Sequence, residues 1–126
     1  MFPVVTDPAK LPIVFQDALN AGDVEGVLAL FAPGAGMRTA AGEHITGAEA
    51  LRVEIGGTVA AHGQLTNIQR HTLVGAETAL LVTDWTLEID GPGGERIAPT
   101  GTTANIARRD ADGGWRFTLL NPLGTS

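Results

Sequence analysis

The chain has no cysteine and no tyrosine, and its only serine is the last residue, Ser126. Without cysteine there can be no disulfide, thiolate nucleophile, thiolate-bound zinc or iron–sulfur cluster. The same absence fits a reducing compartment. A serine triad has no serine to build on, and the missing tyrosine removes one common phenolic acid. Aromatic residues are few, four Phe and two Trp. Positive charge is also scarce, with 8 Lys and Arg against 14 Asp and Glu and a net charge of −6. The one basic pair, Arg108-Arg109, is followed at once by Asp110 and Asp112. Phosphate-backbone binding needs clustered cations, so nucleic acid is not an expected partner. No apolar run reaches 18 residues, and residues 1–12 lack the basic and apolar regions of a signal peptide, so the sequence predicts no membrane partner and a soluble, cytoplasmic protein. His44, His62 and His71 show neither H-x-H nor H-E-x-x-H spacing, and no metal is expected. Despite 17 glycines there is no GxGxxG or P-loop pattern, so no nucleotide cofactor is implied either.

What is present is enough for one domain over residues 1–126, a length that buries roughly two-thirds of the unfolded surface. Asp7-Pro8 signals a first helix, with Leu11, Val14, Phe15, Ala18 and Leu19 on its apolar face. Pro12 would forfeit a hydrogen bond in a helix begun at Pro8, so the regular helix is placed from Lys10 or Leu11. Asp23 caps a second helix, whose stripe runs through Val24, Val27, Leu28, Leu30 and Phe31 to a stop at Pro33-Gly34. A short strand over 36–40 and a turn over 41–44 follow. Thr46 and Glu49 have capping-box spacing for a third helix, with Ala48, Leu51, Ile55 and Val59 on one side and Arg52 and Glu54 elsewhere. Gly56-Gly57 in its middle implies either a break or a close approach, and His62-Gly63 its end. From Gln64 the period becomes 2, giving strands over 64–74, 78–89, 97–109 and 115–123, joined by loops short enough to require antiparallel neighbours. Helices first and a meander after is an α+β pattern.

The strand Ala79–Ile89 is the centre of this plan. Alternation puts Ala79, Leu81, Thr83, Trp85, Leu87 and Ile89 on one face and Leu80, Val82, Asp84, Thr86 and Glu88 on the other. Asp84 and Trp85 therefore cannot serve one site unless a bulge intervenes.

Several runs resemble the SnoaL-like, or ketosteroid-isomerase-like, branch of the NTF2-like superfamily. They are the helical corner Ala21–Pro33, the helix start Gly47–Arg52, the hairpin Asn105–Phe117 and the terminal Asn121-Pro122-Leu123-Gly124, in an order that spans roughly residues 8–124. The resemblance implies a cone in which three N-terminal helices pack on a strongly curved antiparallel sheet, with an apolar pocket at one end. The other sheet face often makes a homodimer in such proteins. Isomerases, polyketide cyclases, dehydratases and epoxide hydrolases share the fold, so the fold does not fix the function. Steroid isomerases of this type use a tyrosine as oxyanion donor, and this chain has none. Leu120 stands where many relatives carry an acid before the terminal Asn-Pro.

Six residues are singled out as site candidates. Asp84 is the prime general base, since burial in mid-strand suits an acid to proton transfer, unless it lies on the convex face or pairs with an arginine of a neighbouring strand. His71, on the strand before it, could relay a proton or simply sit at the surface beside Arg70. Trp85 either walls the pocket or fills the core. Asn105 and Asn121 are amides in apolar strands, which either bond to backbone or face a pocket. Arg38 would, by the family architecture, lie near the pocket rim and bind an acidic ligand group, or else form a surface ion pair. The small-residue run Thr100–Thr103 would admit a close-lying ligand or backbone. The resulting expectation is a pocket for a small, mostly apolar molecule in a homodimeric protein. It would act as an isomerase, cyclase or hydrolyase by acid–base chemistry, or as a binding or dimerisation module without chemistry.

Overall fold

The computed structural model describes residues 3–126. A 3-10 turn at Pro8–Lys10 leads into α1 (Leu11–Asn20), so the regular helix starts where Pro12 allows it. The Asp7 side chain accepts from the Ala9 amide and caps the turn. The following helix, α2 (Val24–Leu28), is capped by Asp23, whose carboxylate accepts from the Gly26 amide at 2.9 Å. It is shorter than its apolar stripe suggested. Phe31 already belongs to β1 (Phe31–Arg38), and Pro33-Gly34 lies inside that strand rather than ending a helix. β1 runs parallel to β8 (Trp115–Leu120), with an irregularity between Phe31 and Gly36 that accommodates the proline and the left-handed Gly34.

His44–Thr46 forms β2 against Gly36–Arg38 where only a turn was expected. This pairing also cancels the capping box. Thr46 is held opposite Gly36, and α3 (Ala48–Ala60) starts from Gly47 at φ 91° with no side-chain cap. α3 runs unbroken through Gly56-Gly57 to Ala60, and beyond its cap residue Ala61 the chain turns at His62, in the left-handed conformation at φ 58°. The two long strands, β3 (Gln64–Gly75) and β4 (Thr78–Asp90), fall within a residue of their expected limits and pair along their length. The expected strand over 97–109 is broken into β5 (Arg96–Ile97), β6 (Thr100–Thr102) and β7 (Asn105–Arg109). All three pair with β4. Between the last two, the Thr103 hydroxyl takes the Thr83 amide at 3.0 Å, so a side chain stands in for a ladder carbonyl where the strand bends.

The path of the sheet is β2-β1-β8-β7-β4-β3, with β4 flanked on both sides. The fold is thus α+β, a mostly antiparallel sheet with a few helices on one face. Alternation along β4 holds throughout: Ala79, Leu81 and Thr83 are almost completely buried, whereas Asp84 and Glu88 turn outward. The core joins these residues to Leu11 and Leu19 of α1, Leu51 and Ile55 of α3, and Phe117 of β8. Phe15, Phe31 and Phe117 form an aromatic cluster with centroids 5.6–6.3 Å apart.

The first part of the free edge of β3 is covered by α1. Asn20 accepts from the Leu65 amide at 2.7 Å and donates to the Leu65 carbonyl at 2.8 Å, as a partner strand would. Gln16 accepts from the Asn67 amide at 2.8 Å. Side chains of one helix thus satisfy edge groups that would otherwise invite another strand.

Candidate functional site

Between the helices and the inner sheet face lies a cavity of about 160 Å³. Its walls come from Pro12, Phe15 and Leu19 of α1, from Glu54, Ile55 and Thr58 of α3, and from Leu65 and Asn67 of β3. Thr83, Trp85 and Leu87 of β4 face it on alternate positions, and Met37, Asn105, Phe117 and Leu120 enter from the other strands. Most of this surface is hydrocarbon, the usual make-up of a small-molecule site.

Trp85 therefore walls the cavity. Its indole N–H donates to the Pro122 carbonyl at 2.8 Å, which fixes the ring. Asn105, buried at 5% exposure, also lines it. Its side-chain oxygen accepts from the Asn121 amide at 2.7 Å, and its side-chain nitrogen has no protein partner among the described residues. Asn121 does not reach the cavity. It donates to the Gly124 carbonyl at 2.8 Å and organises the terminal turn, and its Oδ1 is buried without a partner among the described residues. Deeper in the wall, the Thr83 hydroxyl donates to Gln69 at 2.8 Å, and Thr103 donates to the Leu81 carbonyl.

The two proton-transfer candidates lie elsewhere. Asp84 is on the outer face, about half exposed, accepting from the Thr102 hydroxyl at 2.6 Å with the Arg70 guanidinium 3.6 Å away. No bulge reverses the β4 phase there: Asp84 and Trp85 pair in regular succession with Thr102 and Gly101. His71 is exposed on β3, just past a bulge that leaves Arg70 as the extra residue opposite β4. Arg38 ends β1 opposite His44, outside the cavity that the preceding Met37 lines, and has no ion-pair partner among the described residues.

The cavity does hold a carboxylate, from a residue not among the sequence candidates. Glu54 is half-buried on α3 and lines the cavity, with no hydrogen-bond or ion-pair partner for its side chain among the described residues. Leu51, Glu54, Ile55 and Thr58 stand at i, i+3, i+4 and i+7, one helical stripe. The spacing could have identified Glu54. A search for apolar residues alone passes over it.

Charge is concentrated away from the cavity. Arg116 holds the Asp112 carboxyl down at about 2 in the β7–β8 hairpin, and His62 with Arg96 lowers Asp90 at the end of β4. No group of His, Asp and Glu suited to a metal ion occurs among the described residues. No helix of the described residues is long and apolar enough to cross a membrane.

Residues 14–119 match the SnoaL-like domain. No curated protein matches the chain. Among solved structures, one from Thiobacillus denitrificans, provisionally assigned as a calcium/calmodulin-dependent protein kinase type II association domain, is similar over 98% of this chain and 99% of its own, at 21% identity and TM-score 0.79. A ketosteroid isomerase-like protein from Erwinia carotovora atroseptica is similar over 87% of each chain, at 14% identity and TM-score 0.74. An NTF2-like protein with a cystatin-like fold, from Novosphingobium aromaticivorans, covers 89% of this chain and 75% of its own, at 15% identity and TM-score 0.74. At such identities the likeness establishes an NTF2-like fold.

Proposed function

The chain belongs to the SnoaL-like domain family, and from that premise we propose that it takes up a small, mostly apolar molecule in the cavity between α1, α3 and the sheet. The observation that carries this reading is the cavity itself, about 160 Å³ walled largely by Leu, Ile, Phe, Met and Trp side chains. An engineered cavity of about 150 Å³ admits a benzene ring, so the enclosed part of the ligand is a single ring or a short branched chain. Native mass spectrometry of the protein from its own host tests the reading. The expected result is a retained small molecule that is lost in Ala40→Phe, which narrows the exposed rim at Ala40. A protein that carries nothing and binds no apolar probe would overturn it.

Acid–base chemistry of the isomerase, cyclase or hydrolyase kind is the second reading, favoured by the Glu54 carboxylate on the cavity wall. Homodimerisation belongs to the same proposal. The outer sheet face carries a cross-strand row of Leu73, Leu80, Ile106 and Leu119, with Ile68 and Val82 beside it. Leu73 is 59% exposed, Ile68 64% and Leu119 47%. An apolar patch of this kind on a sheet marks an interaction surface, and a second copy of the chain is the occupant proposed. A cytoplasmic setting is part of this reading and rests on the cysteine-free composition.

A further inference from the structure

The polar groups of the cavity wall have an uneven balance of donors and acceptors. Among the described residues no Lys, Arg or His lines the cavity, and Glu54 is its single charged residue. Local bonds fix how the other groups are presented. Asn67 donates from its side-chain nitrogen to the Pro12 carbonyl at 2.8 Å, and its side-chain oxygen has no partner among the described residues. Thr83 gives its hydroxyl hydrogen to Gln69, so only its oxygen lone pairs remain. The Trp85 N–H is committed to Pro122. Against these acceptors stand only amide donors, the Asn105 side-chain nitrogen and the second hydrogen of the Asn67 amide. A carboxylate or phosphate brought into this space would meet a like charge and no cationic donor from its lining. A cation would meet a carboxylate without a side-chain partner among the described residues, oxygen acceptors, and the aromatic residues Phe15, Trp85 and Phe117 in the wall.

We propose that the ligand is an apolar molecule carrying one protonated amine, with Glu54 as its counter-ion. The inference deepens the pocket reading above and rests on it. Charge-assisted hydrogen bonds are roughly twice as strong as neutral ones, so the amine is preferred over a neutral molecule of the same shape, and an anion is rejected.

Calorimetric titration with benzylamine, benzyl alcohol and benzoate at neutral pH separates the two claims. The wild-type protein is expected to bind benzylamine on the order of tenfold more tightly than benzyl alcohol, and benzoate least. Glu54→Gln, which keeps the side-chain shape, is expected to bring the amine-to-alcohol ratio to about one. Asp84→Asn removes the same charge from the outer face and is expected to preserve the ratio, which separates a local counter-ion from the overall charge of −6. Equal binding of amine and alcohol by the wild type, or a ratio that survives Glu54→Gln, overturns the amine assignment and leaves the pocket reading standing. Failure of all three probes to bind overturns both.

Discussion

Gly101 stands directly across the ladder from Trp85, and a Cβ built there would lie 2.7 Å from the indole ring. The ring cannot step aside freely, because its N–H is bonded to the Pro122 carbonyl. The small-residue run Thr100–Thr103 therefore has its reason inside the protein: an indole occupies the space that a ligand or a second backbone would have used. Overpacking of this kind costs about 1–3 kcal/mol. Gly101→Ala is expected to lower unfolding stability by that amount in denaturant titrations and to shift the Trp85 wall of the cavity. Unchanged stability would mean that the indole is not held as described. The carboxylates make a similar point about position. Glu54 and Asp84 are both half-buried acids, yet only Glu54 lines the cavity, because a helix stripe and a strand face obey different periods.

Among the elements, α3 is the least conventional, a cavity wall with two successive glycines at its middle. A Cβ at Gly56 or Gly57 would meet nothing within 4 Å, and the helix is continuous past both. Neither a break nor a close approach explains the pair. Gly56→Ala and Gly57→Ala are each expected to raise stability by about 1 kcal/mol, read from the shift in denaturant midpoint. A loss of stability in either would show a role for the glycine that its surroundings do not. Elements defined by a sustained period were legible in the sequence: β3, β4 and the start of α1 lie close to where alternation, helical spacing and Pro12 put them. Elements defined by pairing were not. β1 starts early because Phe31 finds Phe117 on a parallel neighbour more than 80 positions away, roughly the separation at which local pattern says nothing. The break between β6 and β7 depends on one hydroxyl, Thr103, answering one amide, Thr83. For the site, alternation along β4 placed Trp85 and separated it from Asp84 correctly. Glu54 was missed because it is a charged residue within an otherwise apolar helical stripe, which a pattern of apolar residues alone does not mark.

For the whole molecule, the cone has two apolar surfaces with different fates. The inner one is closed over by α1 and α3, and the outer one, from Leu73 across Leu80 and Ile106 to Leu119, is left uncovered. If a second copy covers it, a charge placed within the row breaks the pair. Leu119→Asp is expected to halve the mass measured by sedimentation equilibrium, with the folded signal in circular dichroism retained. A wild-type protein that sediments as a monomer at all concentrations would overturn the dimer. Because Asp84 and Arg70 lie on this outer face, the ion pair between them belongs with that surface rather than with the cavity.

The indole held between Gly101 and Pro122 also makes the protein its own spectrometer. With no tyrosine in the sequence, intrinsic ultraviolet emission comes from two tryptophans, Trp115 buried in the core and Trp85 on the cavity wall. A guest entering the cavity displaces solvent or quenching groups from one chromophore and leaves the other undisturbed. Occupancy can therefore be followed by the colour and lifetime of that emission, with no label attached.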